Sequence, residues 1–142
     1  MPCERARLAP LYEAAEYCVE GPGGPVVLRV GRPSAAADRL LGRMGAGSLS
    51  CITAFNPASK PLSPEENRAR QARLARKVAE AGWRALPGVN RDPAGKWPEE
   101  ETLCILDITP RRARALAREF GQCALLRAER GRAPLLLWSD EA

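Results

Sequence analysis

The sequence predicts one α/β (or α+β) domain: a mixed β-sheet, about three main helices and a closing C-terminal β-hairpin. Three observations lead there. Short apolar runs, such as residues 50–55 and 102–108, alternate with longer stretches of helical period. Those stretches open on the capping signals Ser63-Pro64 and Thr109-Pro110 and close on Gly82 and Gly121. The 142 residues are enough for one real hydrophobic core, with no internal repeat and no sign of a second domain in 1–142.

In chain order, residues 1–13 read as a short helix, and its charged, poorly patterned start makes residues 1–10 an expected mobile segment. Residues 15–20 and 25–30 are candidate strands around Gly-Pro-Gly-Gly, a hairpin signal. Those glycines are no phosphate loop, because no Lys-Ser/Thr pair follows and the next element is a strand. Ser34 caps a helix to about Met44, with Leu40, Leu41 and Met44 inward. The glycines of residues 42–47 then stop it, and a buried strand follows at 49–54. This strand–helix–strand order implies a right-handed parallel crossover.

The central helix starts at Ser63, whose hydroxyl can accept a bond from an orphan backbone N–H, with Pro64 at the first helical position and Glu66 placed to close a capping box. Beyond it, residues 83–86 form a short strand, and 87–101 form a long Pro/Gly-rich loop with Trp97 as its one large apolar anchor. Residues 102–108 are the cleanest buried strand. A helix over 110–120 turns Ala113, Leu116, Ala117 and Phe120 inward, and strands at 123–127 and 134–138 flank Glu-Arg-Gly-Arg as the final hairpin.

Chemistry gathers around the central helix. At about 100° per residue, Asn67, Gln71, Leu74, Val78 and Ala81 share one inward stripe, so its first two turns carry amides where the rest is apolar. A buried amide is costly unless bonded, so Asn67 and Gln71 either tie down the preceding loop or greet a ligand. Thr53 and Asn56 end the strand before the helix, and Arg68 lies beside Asn67. Of the carboxylates Glu99, Glu100 and Glu101, strand alternation turns Glu100 away from its neighbours. With Gln122, these residues (Thr53, Asn56, Asn67, Arg68, Gln71, Glu100 and Gln122) are the candidate ligand-binding set. If the strands ending near Ala54 and Ile108 are parallel neighbours, the helix N-termini at Ser63 and Thr109 open on one edge, where Arg68, Arg111 and Arg112 would favour an anion.

Composition narrows the field. The net charge of +5 is almost all arginine, since Lys60, Lys77 and Lys96 are the only lysines. There is no histidine, which removes Ser-His and Cys-His nucleophile pairs and His-based zinc sites. Cys3, Cys18, Cys51, Cys104 and Cys123 form no metal-binding spacing, so five free thiols, no metal and no cofactor are expected. With no signal peptide and no apolar run long enough for a membrane, a cytoplasmic setting is the natural reading.

The runs Ile-Thr-Ala-Phe-Asn-Pro (52–57), Ser-Pro-Glu-Glu-Asn (63–67), Trp-Pro-Glu-Glu-Glu-Thr (97–102) and Arg-Glu-Phe-Gly-Gln-Cys-Ala (118–124) together resemble a small bacterial family of unknown function, DUF3293, over residues 12–138. The family pattern has Ser and Asn where this chain has Thr102 and Cys123. The resemblance implies a compact cytoplasmic domain and carries no activity with it.

Two functions fit these residues. One is a pocket for a small polar or anionic ligand at the edge formed by strand 49–54, loop 55–62 and the helix starting at 63. Catalysis there would rest on a carboxylate base, since no nucleophile or metal set is visible. The alternative is a basic module that binds nucleic acid or an acidic protein without enzymatic activity. Its surfaces would be Arg111, Arg112, Arg114 and Arg118 on one helix, and Arg68, Arg70, Arg73, Arg76 and Lys77 on another.

Overall fold

A computed structural model describes residues 3–141. The elements follow in the order α1 (Arg5–Ala14), β1 (Glu16–Gly21), β2 (Gly24–Leu28), α2 (Ala35–Arg43), β3 (Ser48–Ile52), a 3₁₀ turn (Pro57–Ser59), α3 (Pro64–Glu80), β4 (Ala85–Arg91), β5 (Glu100–Leu106), α4 (Pro110–Glu119), β6 (Ala124–Glu129) and β7 (Leu135–Trp138). This is the order of helices, hairpins and strands expected from the sequence, with four α-helices among the described residues.

The strands form one sheet in the order β2-β1-β4-β5-β3-β6-β7, and every ladder in it is antiparallel. Alternating directions along that order make β2, β4 and β3 run the same way. The crossover β2-α2-β3 therefore joins parallel strands, as the strand–helix–strand order implied, with three other strands lying between them. Within β3-α3-β4-β5-α4-β6 each helix likewise skips one strand, giving the split βαβ, or ferredoxin-like, arrangement. The β1-β2 hairpin extends one side and β7 the other.

Strand alternation sends successive side chains to opposite faces. Leu49, Cys51, Cys104 and Leu126 pack with Leu40 and Leu41 of α2. Ile52, Ile105 and Leu125 pack with Leu74 and Val78 of α3 and with Leu116 and Phe120 of the α4 region. The sheet thus has helices on both faces. α1 adds a small third cluster, in which Leu8 meets Ala58, Cys123 and Trp138.

Two expectations need correction. Residues 87–91, read as part of a long loop, belong to β4, and the irregular segment is only 92–99. Gly88 misled the reading, yet it sits there for a packing reason. A Cβ at this position would stand 2.5 Å from the Cys18 carbonyl oxygen and 3.0 Å from Thr102 Cγ2. Trp97 still anchors the shortened segment, half-buried against the α2-side core. The five thiols are not all free: Cys3 and Cys123, 120 positions apart, form a disulfide, while Cys18, Cys51 and Cys104 are buried thiols. Spacing could not reveal a pair that meets only because α1 folds back over the start of β6. The expected mobility of residues 1–10 falls in part on Met1 and Pro2, outside the described residues. Among the described residues no group of side chains is arranged to hold a metal ion, and no helix is long and apolar enough to cross a membrane.

Candidate functional site

α3 begins as its sequence dictates. The Ser63 side chain accepts from Glu66 N at 3.1 Å, and the Glu66 carboxylate accepts from Ser63 N at 3.4 Å, which completes the capping box. The start of α3 therefore lies at a fixed place beside the end of β3. Asn67 and Gln71 are 5% and 7% exposed, as their place on the inward stripe requires.

Both amides are matched within the chain. Gln71 Oε1 accepts from Ala54 N at 2.8 Å. Asn67 Oδ1 accepts from Asn56 N at 2.9 Å, and Asn67 Nδ2 donates to Asn56 Oδ1 at 2.8 Å. Asn56 passes the network on: its Oδ1 also accepts from Leu62 N, and its Nδ2 donates to Glu100 Oε2 at 2.7 Å. Thr53 Oγ1 donates to the Glu101 carbonyl at 2.6 Å and accepts from Phe55 N. Gln122 Nε2 donates to the carbonyls of Phe55 and Phe120 at 3.0 and 3.2 Å.

These bonds hold an unusual loop. Asn56, Ala58 and Ser59 all have positive φ, at 46°, 54° and 60°. Asn tolerates the left-handed region, but Ala and Ser there each cost on the order of 1 kcal/mol. The loop is closed from the other side by Gly121, whose carbonyl accepts from Ala58 N at 2.8 Å. Gly121 itself has φ +69°, and a Cβ on it would stand 2.7 Å from Pro57 Cβ. Arg70, half-buried on α3, donates to the carbonyls of Ala54 and Phe120, stitching β3 to the end of α4.

The loop forms one wall of a cavity of about 430 Å³ on the α1 side of the sheet. Leu11 and Tyr12 of α1, Phe55, Leu62, Trp97 and Leu136 supply apolar and aromatic walls. The polar lining includes Thr53, Asn56, Asn67, Asn90, Glu100 and Gln122. Five of the seven expected residues thus meet at one cavity. Gln71 lies behind it, bonded to Ala54, and Arg68 is exposed on α3 and does not line it. The two helix N-termini do not share this edge. β3 and β5 are neighbours but antiparallel, so Thr109, Arg111 and Arg112 lie at the opposite end of the sheet.

Asn90 and Tyr17 were missed by the sequence reading. Asn90 is 8% exposed, and its Oδ1 is buried without a hydrogen-bond partner among the described residues. It is directly paired across the sheet with Tyr17 of β1 and with Glu100 of β5, so the three side chains form a row on the cavity face. The Tyr17 hydroxyl donates to the Tyr12 carbonyl at 2.8 Å, and burial holds it protonated well above the usual tyrosine range. Burial also raises the Glu100 carboxyl above the usual carboxylate range, against the smaller opposing effect of its bond from Asn56. The alternation of Leu86, Gly88 and Asn90 was the one sequence signal that Asn90 lies on a strand face.

No curated protein and no solved structure matches this chain. One family does: its pattern matches residues 52–125, a span from the end of β3 to the start of β6 that carries Thr53, Asn56, Asn67, Asn90, Glu100 and Gln122. The chain belongs to the family described as Protein of unknown function (DUF3293).

Proposed function

We propose that the cavity beside α1 binds a small polar ligand with an apolar portion. The observation that carries this reading is the Asn90 amide, buried in the cavity lining with its oxygen unpartnered. A buried polar group left unmatched costs about 1–3 kcal/mol, and a bound molecule is the simplest source of its missing partner. The aromatic walls and few converging polar groups are the usual make-up of a small-molecule site. The strained loop at its rim, held by the Asn56–Asn67 pair, is of the kind that collects at functional sites. Of the polar and anionic ligands considered above, the lining favours the polar one, because the Glu100 carboxylate faces the cavity and Arg7 is its one basic side chain.

The nucleic-acid alternative is less well supported. Within its two basic faces, Arg70, Arg114 and Arg118 donate to backbone carbonyls, Arg73 lies over the Phe120 ring, and Lys77 pairs with Glu119. Those side chains have structural work inside the domain.

The test replaces Asn90 by Leu, which has the same branched outline and needs no partner. The variant is expected to gain about 1 kcal/mol or more in urea unfolding and to lose every thermal shift that a library of small polar compounds gives the parent. A destabilised variant, or one that keeps the parent's shifts, overturns the reading.

A further inference from the structure

The reading of the cavity as a ligand site can be taken one step further, because its polar floor is one-sided. Tyr17, Asn90 and Glu100 are consecutive across β1, β4 and β5 and face the same space. The Tyr17 hydroxyl spends its proton on the Tyr12 carbonyl, which leaves its oxygen as an acceptor. Asn90 presents a buried amide oxygen with no hydrogen-bond partner among the described residues. Glu100 presents a carboxylate that meets one donor among the described residues, Asn56 Nδ2, on one of its two oxygens. Three acceptors in a row, the last of them anionic when ionised, call for a ligand rich in N–H donors.

The rest of the lining agrees with a positive charge. Arg7 at the rim is already ion-paired with Glu4, so the floor holds no competing cation. Tyr12 and Trp97 line the same space, and aromatic rings there suit a cation. We infer that the site takes a cationic nitrogen group, an ammonium, amidinium or guanidinium carried on an apolar body, with the charge on Glu100 and an N–H on Asn90 Oδ1. This rests on the cavity being a ligand site and adds the class of ligand.

The experiment uses three ring compounds of one shape and different charge: benzamidine, benzamide and benzoate. Each is titrated to millimolar concentration into the ¹⁵N-labelled full chain, and the Trp97 indole N–H and Asn90 side-chain amide signals are followed. Benzamidine is expected to shift both signals saturably, at least about tenfold more tightly than benzoate, the factor one charge-assisted hydrogen bond provides. Glu100→Gln keeps an oxygen for Asn56 and is expected to lose about that tenfold for benzamidine while leaving benzamide unchanged. Benzoate or benzamide binding as well as benzamidine overturns the cationic class and leaves the cavity as a ligand site. Undiminished benzamidine binding by Glu100→Gln overturns the pairing with Glu100. If none of the three moves either signal, both the class and the cavity reading fall.

Discussion

Replacing Asn67 by Ala tests what holds the strained loop at the cavity rim. The substitution removes two hydrogen bonds, from Asn56 N and to Asn56 Oδ1. Each is worth about 1 kcal/mol net. Asn56 Oδ1 keeps its bond from Leu62 N, but Asn56 N is left without an acceptor, which adds about 1 kcal/mol. Against this, Ala exceeds Asn in helix propensity by roughly 0.6 kcal/mol. The balance is a loss of about 2–3 kcal/mol, or a drop in Tm of roughly 6–10 °C for a domain of this size. The assay is urea unfolding followed by tryptophan fluorescence, with Arg68→Ala as control. Arg68 is exposed on the same helix one position along, and its replacement should fall within about 0.5 kcal/mol of the parent. If Asn67→Ala is no worse than Arg68→Ala, the amide is not what ties the loop, and the account of the loop's strained backbone fails.

Three other outcomes follow from the same structure. Gly88→Ala places a Cβ 2.5 Å from the Cys18 carbonyl, between two strands that cannot give way, and should cost about 3 kcal/mol or leave the protein insoluble. Cys3→Ser opens the disulfide that closes most of the chain; unfolding should be about 2–4 kcal/mol easier, and thiol counting on the unreduced parent should find three free cysteines, not five. For Glu100, whose carboxyl is held above its ordinary value by burial, the folded state is penalised once the pH rises through that raised pKa, and the penalty is absent below the unfolded value. Glu100→Gln should therefore stabilise the protein at neutral pH, with the advantage shrinking to nothing on acidification. A variant less stable than its parent at neutral pH refutes that sign.

The local rules written in the sequence determined the elements. Ser63-Pro64-Glu65-Glu66 caps α3 whatever surrounds it, because a capping box uses atoms within four residues of each other. The period of Asn67, Gln71, Leu74 and Val78 fixed which side of α3 is buried, and so marked the two amides as groups needing partners. The partners themselves were decided by the tertiary structure. That Asn67 would meet Asn56, that Glu100 would meet Asn56 from a strand far along the chain, and that Cys3 would reach Cys123 all depend on which strands lie side by side. Strand order is a property of the whole sheet: β5 enters between β3 and β4, and no local pattern in either strand announces it. The same insertion reverses β5 against β3, sends the α4 N-terminus to the far end and lines Tyr17, Asn90 and Glu100 up across three strands. Periodicity tells each residue which face it takes, because that depends on its own backbone; it cannot tell which residues share that face from neighbouring strands, because those contacts exist only once the sheet has assembled.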